Sequence, residues 1–129
     1  MVQPRILVAE DANVSRRKIV TLLKSLDCEV KEAIDGEMAL LFSMSFLPHI
    51  IVLDLYMPKR NGINVIEILR SDPRFKETRI VMLTSEADMK IVRQAISKGA
   101  NDYLLKSDTL ANLKARLSKH IDTIRQQIG

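Results

Sequence analysis

Tryptophan is absent from the 129-residue sequence, aromatic residues make up only 4%, and Cys28 is the single cysteine. A lone cysteine excludes an internal disulfide, and the apolar alternation around it predicts a small buried side chain. So few aromatic residues provide no stacking platform for nucleic-acid bases. The longest apolar run starts at Met38 and has about ten residues, half of what a membrane span needs. Because the N-terminus also lacks a signal-peptide pattern, we expect a cytoplasmic protein without membrane contact.

The charge balance is only mildly basic, with 20 Lys and Arg residues against 16 Asp and Glu residues and a net charge of +4. The basic residues are scattered, and their only local runs are Arg16-Arg17-Lys18 and Lys59-Arg60. This distribution is typical of a solvated surface, so direct nucleic-acid binding is not expected. Hydrophobic residues make up 47% and charged residues 28%. That balance and the chain length predict one globular domain over residues 1–129.

Short apolar runs alternate with helical apolar spacing along the whole chain. The predicted strands are the apolar runs RILVA, IIVL, RIVML and DYLL and the alternating stretch CEVKEA. The last helical pattern runs from Leu110 to Ile128, with Ser107 and Asp108 as candidate caps. Five strands alternating with five helices predict an α/β fold, a doubly wound parallel sheet with helices on both faces. One common strand order for such a sheet is 2-1-3-4-5.

Charged and polar residues follow four of the five predicted strands. Glu10 and Asp11 follow the first, Asp54 ends the third, Thr84 ends the fourth and Lys106 follows the fifth. Ligands bind beyond the carboxyl ends of parallel strands, at the point where the strand order reverses. Each residue alone has an ordinary structural explanation as a turn or helix cap or an exposed charge. Their coincidence at one edge favours a functional site.

Three crowded carboxylates repel each other and raise a pKa unless a cation compensates. An all-oxygen set points to Mg²⁺, which accepts a few carboxylates and bridges to phosphate oxygens. A metal beside a lysine and a threonine has the outline of a phosphoryl-transfer site, with Asp54 as the nucleophile. Pro58 and Gly62 predict a sharp turn that leaves Asp54 exposed at the edge of the sheet. His49 and His120 fall outside this set and are expected at the surface.

Four segments together resemble the receiver domain of two-component response regulators, in the superfamily of the chemotaxis receiver. They are ILVAED, IVLDLYMPKRNG, VMLTSEA and GANDYLLK, which contain the candidate residues named above. The resemblance covers essentially the whole chain and implies a flavodoxin-like (βα)5 fold with strand order 2-1-3-4-5. One departure is Ser107, which stands where the family usually has a proline after its lysine.

The resemblance implies that Asp54 accepts a phosphoryl group from the phosphohistidine of a histidine kinase or a phosphotransfer protein. It implies Mg²⁺ held by Asp11, Asp54 and the backbone carbonyl of Tyr56, with Glu10 acting through water. Thr84 and Lys106 would bind the phosphoryl oxygens.

The same resemblance implies a conformational switch between Thr84 and Tyr103. An ordinary half-buried strand tyrosine is the open alternative for Tyr103. Tyr56 and Glu86 occupy positions that tune hydrolysis of the aspartyl phosphate in this family. The chain would not be an enzyme beyond Mg²⁺-dependent self-phosphorylation and autodephosphorylation.

Output is expected through the face formed by the fourth helix, fifth strand and fifth helix, whose lysines and arginines favour an acidic protein partner. The alternatives left open are a phosphorylation-independent interaction module and a receiver that is part of a larger DNA-binding or enzymatic regulator. A metal-dependent phosphatase is disfavoured, because such enzymes need a second carboxylate where Tyr56 stands. Dimerisation on phosphorylation also stays open.

Overall fold

The computed structural model describes residues 3–85 and 89–128, in which strands and helices alternate. The strands are β1 (Arg5–Ala9), β2 (Glu29–Ala33), β3 (Ile50–Asp54), β4 (Arg79–Thr84) and β5 (Asp102–Leu105). The helices are α1 (Asn13–Ser25), α2 (Gly36–Phe46), α3 (Gly62–Arg70), α4 (Met89–Ser97) and α5 (Leu110–Ile128), with a short 3₁₀ turn at Pro73–Phe75. Within the described ranges, no helix is long and apolar enough to cross a membrane.

All strand pairs are parallel, and the sheet order is β2-β1-β3-β4-β5. This confirms the predicted order, in which β1 and β3 lie side by side where the chain reverses direction across the sheet. Ala9 lies opposite Leu53, and Asp54 lies opposite Leu83 of β4. The residues that follow β1 and end β3 and β4 are therefore level at one edge.

The core has two layers, because alternate residues of each buried strand point to opposite faces of the sheet. Leu7 of β1 and Ile51 of β3 pack in the layer below α2, α3 and α4, whereas Ile6 and Ile50 pack in the layer below α1 and α5. Cys28 is buried in this second layer, as predicted. A parallel sheet covered on both faces accounts for strands that read as apolar runs.

The start of α5 differs from the prediction. The cap of this helix is Thr109, whose Oγ1 accepts a hydrogen bond from the backbone N–H of Asn112 at 3.1 Å. Asp108 instead accepts from the backbone N–H of Thr109, and Ser107 precedes the helix and is exposed. Leu110 is 54% exposed, because the buried face of α5 begins three residues later at Leu113. The cap prediction was therefore displaced by one or two residues.

Candidate functional site

An acidic cluster made of Glu10, Asp11 and Asp54 lies at the carboxyl edge of the sheet. One carboxylate oxygen from each residue lies within 4.8 Å of the others. The strand register explains this proximity. Ala9 of β1 is paired with Leu53 of β3, and each is followed directly by a residue of the cluster, Glu10 and Asp54. The structure thus brings together the three carboxylates that the sequence singled out.

The three residues of the acidic cluster differ in solvent exposure. Asp11 is exposed, but Asp54 is 2% exposed and Glu10 is fully buried. The prediction of an exposed Asp54 was therefore wrong. The turn does direct the chain away from the strand end, but the side chain of Lys106 covers the carboxylate and only 21% of that lysine side chain remains exposed. Asp54 is a buried, ion-paired group close to the surface.

Lys106 joins the two buried carboxylates. Its Nζ lies 2.6 Å from Glu10 Oε1 and donates a hydrogen bond to Asp54 Oδ2 at 3.0 Å. Burial lowers the pKa of the ammonium, but its contacts with the negative carboxylates of Glu10 and Asp54 outweigh that effect and raise it above the usual value. The other Asp54 oxygen accepts from the backbone N–H of Tyr56 at 3.1 Å.

Of the two buried carboxylates, Glu10 has the less well compensated negative charge. Its contact with Lys106 is a close ion pair without aligned hydrogen-bond geometry, and its buried Oε2 has no hydrogen-bond partner among the described residues. Burial and the neighbouring Asp54 raise the pKa of Glu10 to about 7. A buried acidic oxygen without a donor fits a bound cation, and an all-oxygen ligand set fits a hard divalent metal. The acidic cluster is therefore a candidate metal site.

The turn after β3 is held tightly against the strand end. Gly62 donates its backbone N–H to the carbonyl of Leu55 at 2.8 Å, and a Cβ at this glycine would lie 2.7 Å from the carbonyl oxygen of Asp54. Only glycine therefore fits at this position without a shift of the backbone. The side chain of Tyr56 is 61% exposed on the outer side of the turn. The turn therefore fixes the backbone position of Asp54.

Arg16 supports the loop after β1. This role is not among the predictions from the sequence, because Arg16 belongs to a basic run that is typical of a solvated surface. It is 9% exposed, and its Nη1 donates to the carbonyl of Glu10 at 2.9 Å. The same guanidinium contacts Glu32 at 2.9 Å and Asn13 at 2.6 Å. Helical spacing contained the signal, because Arg16 lies three residues before buried Ile19 on the same face of α1.

The remaining predicted residues lie around this centre. Thr84 ends β4 and is 3% exposed, one residue beyond the residue paired with Asp54. Tyr103 is half-buried in β5, and the guanidinium of Arg116 lies 5.4 Å from the centre of its ring. Glu86 lies outside the described residues. The roles that the resemblance implies for these residues stay predictions.

His120 contradicts the surface prediction made for both histidines. It is 6% exposed and lies between two charged partners, with Nε2 at 2.9 Å from Asp102 Oδ2 and Nδ1 accepting from Arg79 Nε at 2.8 Å. His49 is half-buried and accepts from the backbone N–H of Arg5 at 2.9 Å. Both lie at the opposite end of the strands from the acidic cluster, so their exclusion from the cluster was correct.

Known proteins are similar to this chain in sequence. Residues 6–118 match the model of the response regulator receiver domain family. The chain is 30% identical to Protein PilG of Pseudomonas aeruginosa over 91% of this chain and 87% of that protein. It is 32% identical to the sensor histidine kinase TmoS of Ectopseudomonas mendocina over 98% of this chain but only 14% of that protein.

Solved structures agree with the sequence relatives. The chemotaxis response regulator CheY4 of Vibrio cholerae has a TM-score of 0.87 and 25% identity, over 92% of this chain and 99% of that one. The receiver domain of sensor histidine kinase PA1611 from Pseudomonas aeruginosa, solved with a magnesium ion in its active-site cleft, has a TM-score of 0.84 and 26% identity, over 94% and 99%. The chain belongs to the response regulator receiver domain family.

Proposed function

We propose that the chain is a phosphorylation-activated switch of a two-component system, with Asp54 as the phosphoryl acceptor. The observation that supports this most is the ammonium of Lys106, which lies 2.6 Å from Glu10 and 3.0 Å from Asp54 at the end of β3. In the proposed step, the P–N bond of a phosphohistidine breaks as a P–O bond to Asp54 forms. The donor imidazole keeps the electron pair and takes up a proton, and the donor is a histidine kinase or a phosphotransfer protein.

Mg²⁺ is the proposed cofactor. Asp11, Asp54 and the backbone carbonyl of Tyr56 would hold it, with Glu10 acting through water. The unpartnered Oε2 of Glu10 and the magnesium in the PA1611 receiver support this assignment. When bound, the ion supplies positive charge that offsets the repulsion between the carboxylates and the incoming phosphoryl oxygens.

Lys106 and Thr84 are the proposed ligands of the phosphoryl oxygens. Once Asp54 carries a phosphoryl group, the Lys106 ammonium can bind a phosphoryl oxygen instead of the carboxylate oxygen that it holds in this structure. Thr84 would move toward the same group and let the ring of Tyr103 change its position. Because the guanidinium of Arg116 lies 5.4 Å from that ring, such a change reaches α5 directly.

Output is proposed through the face made of α4, β5 and α5. Its exposed basic residues favour a downstream protein with an acidic surface, and they include Lys90, Arg93, Lys98, Lys114 and Lys119. We propose no catalysis of another substrate, only self-phosphorylation and autodephosphorylation tuned by Tyr56 and Glu86. A cytoplasmic location is part of the proposal. The proposal applies equally to a receiver that acts alone and to one within a longer protein, since relatives of both kinds exist.

Amide NMR with beryllofluoride, a tetrahedral mimic of a phosphoryl group, tests the switch. In the presence of Mg²⁺ we expect chemical-shift changes at Asp54, Thr84 and Tyr103 that extend into α4 and α5. The Asp54→Asn variant should show none of them, whereas Asp72→Asn, in a turn outside the acidic cluster, should respond like the wild type. A wild-type spectrum that beryllofluoride and Mg²⁺ leave unchanged would favour the phosphorylation-independent interaction module instead.

A further inference from the structure

Lys18 of α1 contacts the loop that carries Lys106. This loop, residues 106–109, joins β5 to α5. The Nζ of Lys18 lies 3.4 Å from the carbonyl oxygen of Lys106 and 3.3 Å from that of Asp108, and it donates to both. The contacts join residues 88 and 90 positions apart in the sequence. One ammonium group therefore joins two carbonyls of this loop to α1.

The loop is otherwise held mainly at its two ends. The backbone N–H of Lys106 donates to the carbonyl of Thr84 at 2.8 Å, which continues the pairing of β5 with β4. The backbone N–H of Asp108 closes a turn onto the carbonyl of Leu105 at 3.1 Å. Between these bonds lies exposed Ser107, and the peptide that joins it to Lys106 is trans. The carbonyl held by Lys18 belongs to this peptide.

The position of the Lys106–Ser107 peptide determines where the ammonium group of Lys106 can lie. Its Nζ must lie within contact distance of both Glu10 and Asp54, at 2.6 Å and 3.0 Å. A long lysine side chain has several rotatable bonds, so its end is placed accurately only if its backbone is fixed. A rotation of the Lys106 peptide would move the ammonium relative to both carboxylates. Lys18 opposes that rotation by holding the carbonyl oxygen.

Helix α1 makes a second contact with the backbone of the site, at Glu10. Arg16, two residues before Lys18, donates to the carbonyl of Glu10 at 2.9 Å. The same helix therefore contacts the backbone of Glu10 and the backbone of Lys106, the two partners of the shortest ion pair at the site. Lys18 is half-buried at the edge of the apolar face of α1, where a lysine can pack its stem and extend its charged end to the loop.

We propose that Lys18 is a positioning residue for Lys106. It holds the loop after β5 so that the Lys106 ammonium meets the phosphoryl group on Asp54. The inference rests on the proposed function and adds a residue that neither phosphate nor metal touches. The phosphoryl-transfer rate therefore depends on Lys18, whereas metal binding does not need it, since the proposed metal ligands lie just after β1, at the end of β3 and in the turn that follows.

The test compares Lys18→Met with the wild type at saturating acetyl phosphate and Mg²⁺. We expect the rate constant for phosphorylation to fall about tenfold, less than the roughly hundredfold loss that a displacement of about 1 Å can cause, because Lys106 keeps its charge. The Mg²⁺ affinity, measured by titration calorimetry, should not fall. Lys18→Arg should recover most of the rate, because a guanidinium also donates to two carbonyls. Lys24→Met, which removes an exposed lysine of the same helix, is the matched control and should match the wild type.

A second readout needs no phosphorylation. In metal-free protein, the ¹⁵Nζ resonance of Lys106 reports its contacts with Glu10 and Asp54. We expect Lys18→Met to shift this resonance and Lys24→Met to leave it in place. Urea unfolding shows whether each variant is folded, and Lys18→Gln replaces Lys18→Met if the latter is not.

The outcomes separate the two proposals. A wild type that gains no phosphoryl group contradicts the proposed function itself. A phosphorylated wild type with an equal rate in Lys18→Met overturns the inference alone. A slower rate with an unmoved Lys106 resonance also overturns it, because Lys18 would then act by another route. A slower rate with a moved resonance and no loss of Mg²⁺ affinity supports it.

Discussion

Lys106 donates a hydrogen bond to Asp54 across 52 positions of sequence, with Nζ and Oδ2 3.0 Å apart. The same ammonium lies 2.6 Å from Glu10, so one cation offsets two buried carboxylates. In water such a pair would contribute little, but burial makes the loss of either partner costly. The contact therefore affects both the stability of the metal-free protein and the chemistry of the site.

Replacing Lys106 by methionine should lower stability and raise metal affinity. The variant keeps a similar volume but leaves Glu10 and Asp54 without their cation. We expect the free energy of unfolding in EDTA to fall by about 1–3 kcal/mol, measured by urea titration. Mg²⁺ should bind a few-fold more tightly, because no ammonium opposes its approach. Weaker Mg²⁺ binding than in the wild type would show that Lys106 helps to hold the metal site together.

Gly62→Ala tests the turn behind Asp54. The new Cβ would lie 2.7 Å from the carbonyl oxygen of Asp54 and 2.8 Å from Cα of Leu55, and both are backbone atoms that must shift. We expect a loss of about 1–3 kcal/mol in the free energy of unfolding, as for other overpacked sites. The phosphorylation rate should fall with it, because Asp54 and Tyr56 stand on this backbone. The control is Ala12→Gly, at an exposed position in the loop after β1, which also changes the side chain by one methyl group.

Asp102 should make stability depend on acidic pH. Burial alone would raise the pKa of Asp102, but hydrogen bonds from His120 and the backbone of Tyr103, together with the charge of Arg116, hold it below its usual value. A lowered pKa in the folded state adds stability above the unfolded pKa of about 4, and that stability is lost as the pH falls through the folded value.

The measurement compares wild type with Asp102→Asn by urea unfolding between about pH 3 and pH 6. We expect the wild type to be more stable by about 1–2 kcal/mol at the upper end, with the difference shrinking toward the lower end. A difference that stays constant over the whole range would mean that the charge of Asp102 contributes nothing to folding. Asp122→Asn, an exposed change on α5, should show no such trend.

The strands, their order and the acidic cluster were predictable from the sequence. Buried parallel strands read as apolar runs, and such a run ends where a polar residue such as Asp54 or Thr84 appears. Once the order 2-1-3-4-5 is assumed, the residues that follow β1, β3 and β5 must meet at one edge. The strands and the polar residues at their ends follow from local pattern, whereas the choice of this strand order came from the resemblance to the receiver family.

The burial of individual polar residues was not predictable in the same way. His120 of α5 is buried because Asp102 of β5 and Arg79 of β4 satisfy both of its ring nitrogens. Asp54 is buried because Lys106 covers it. Such partners are far away in sequence, so no local pattern contains them. Arg16 is the exception, since its helical spacing already placed it on the apolar face of α1.

The central claim is that Asp54 is the residue that accepts a phosphoryl group. The most direct measurement is the intact mass of the protein after incubation with acetyl phosphate and Mg²⁺, for the wild type and for Asp54→Ala. We predict that the wild type gains the mass of one phosphoryl group, that EDTA prevents the gain, and that Asp54→Ala gains nothing. A folded wild type whose mass does not change, or an Asp54→Ala variant that gains the same mass, would contradict the claim.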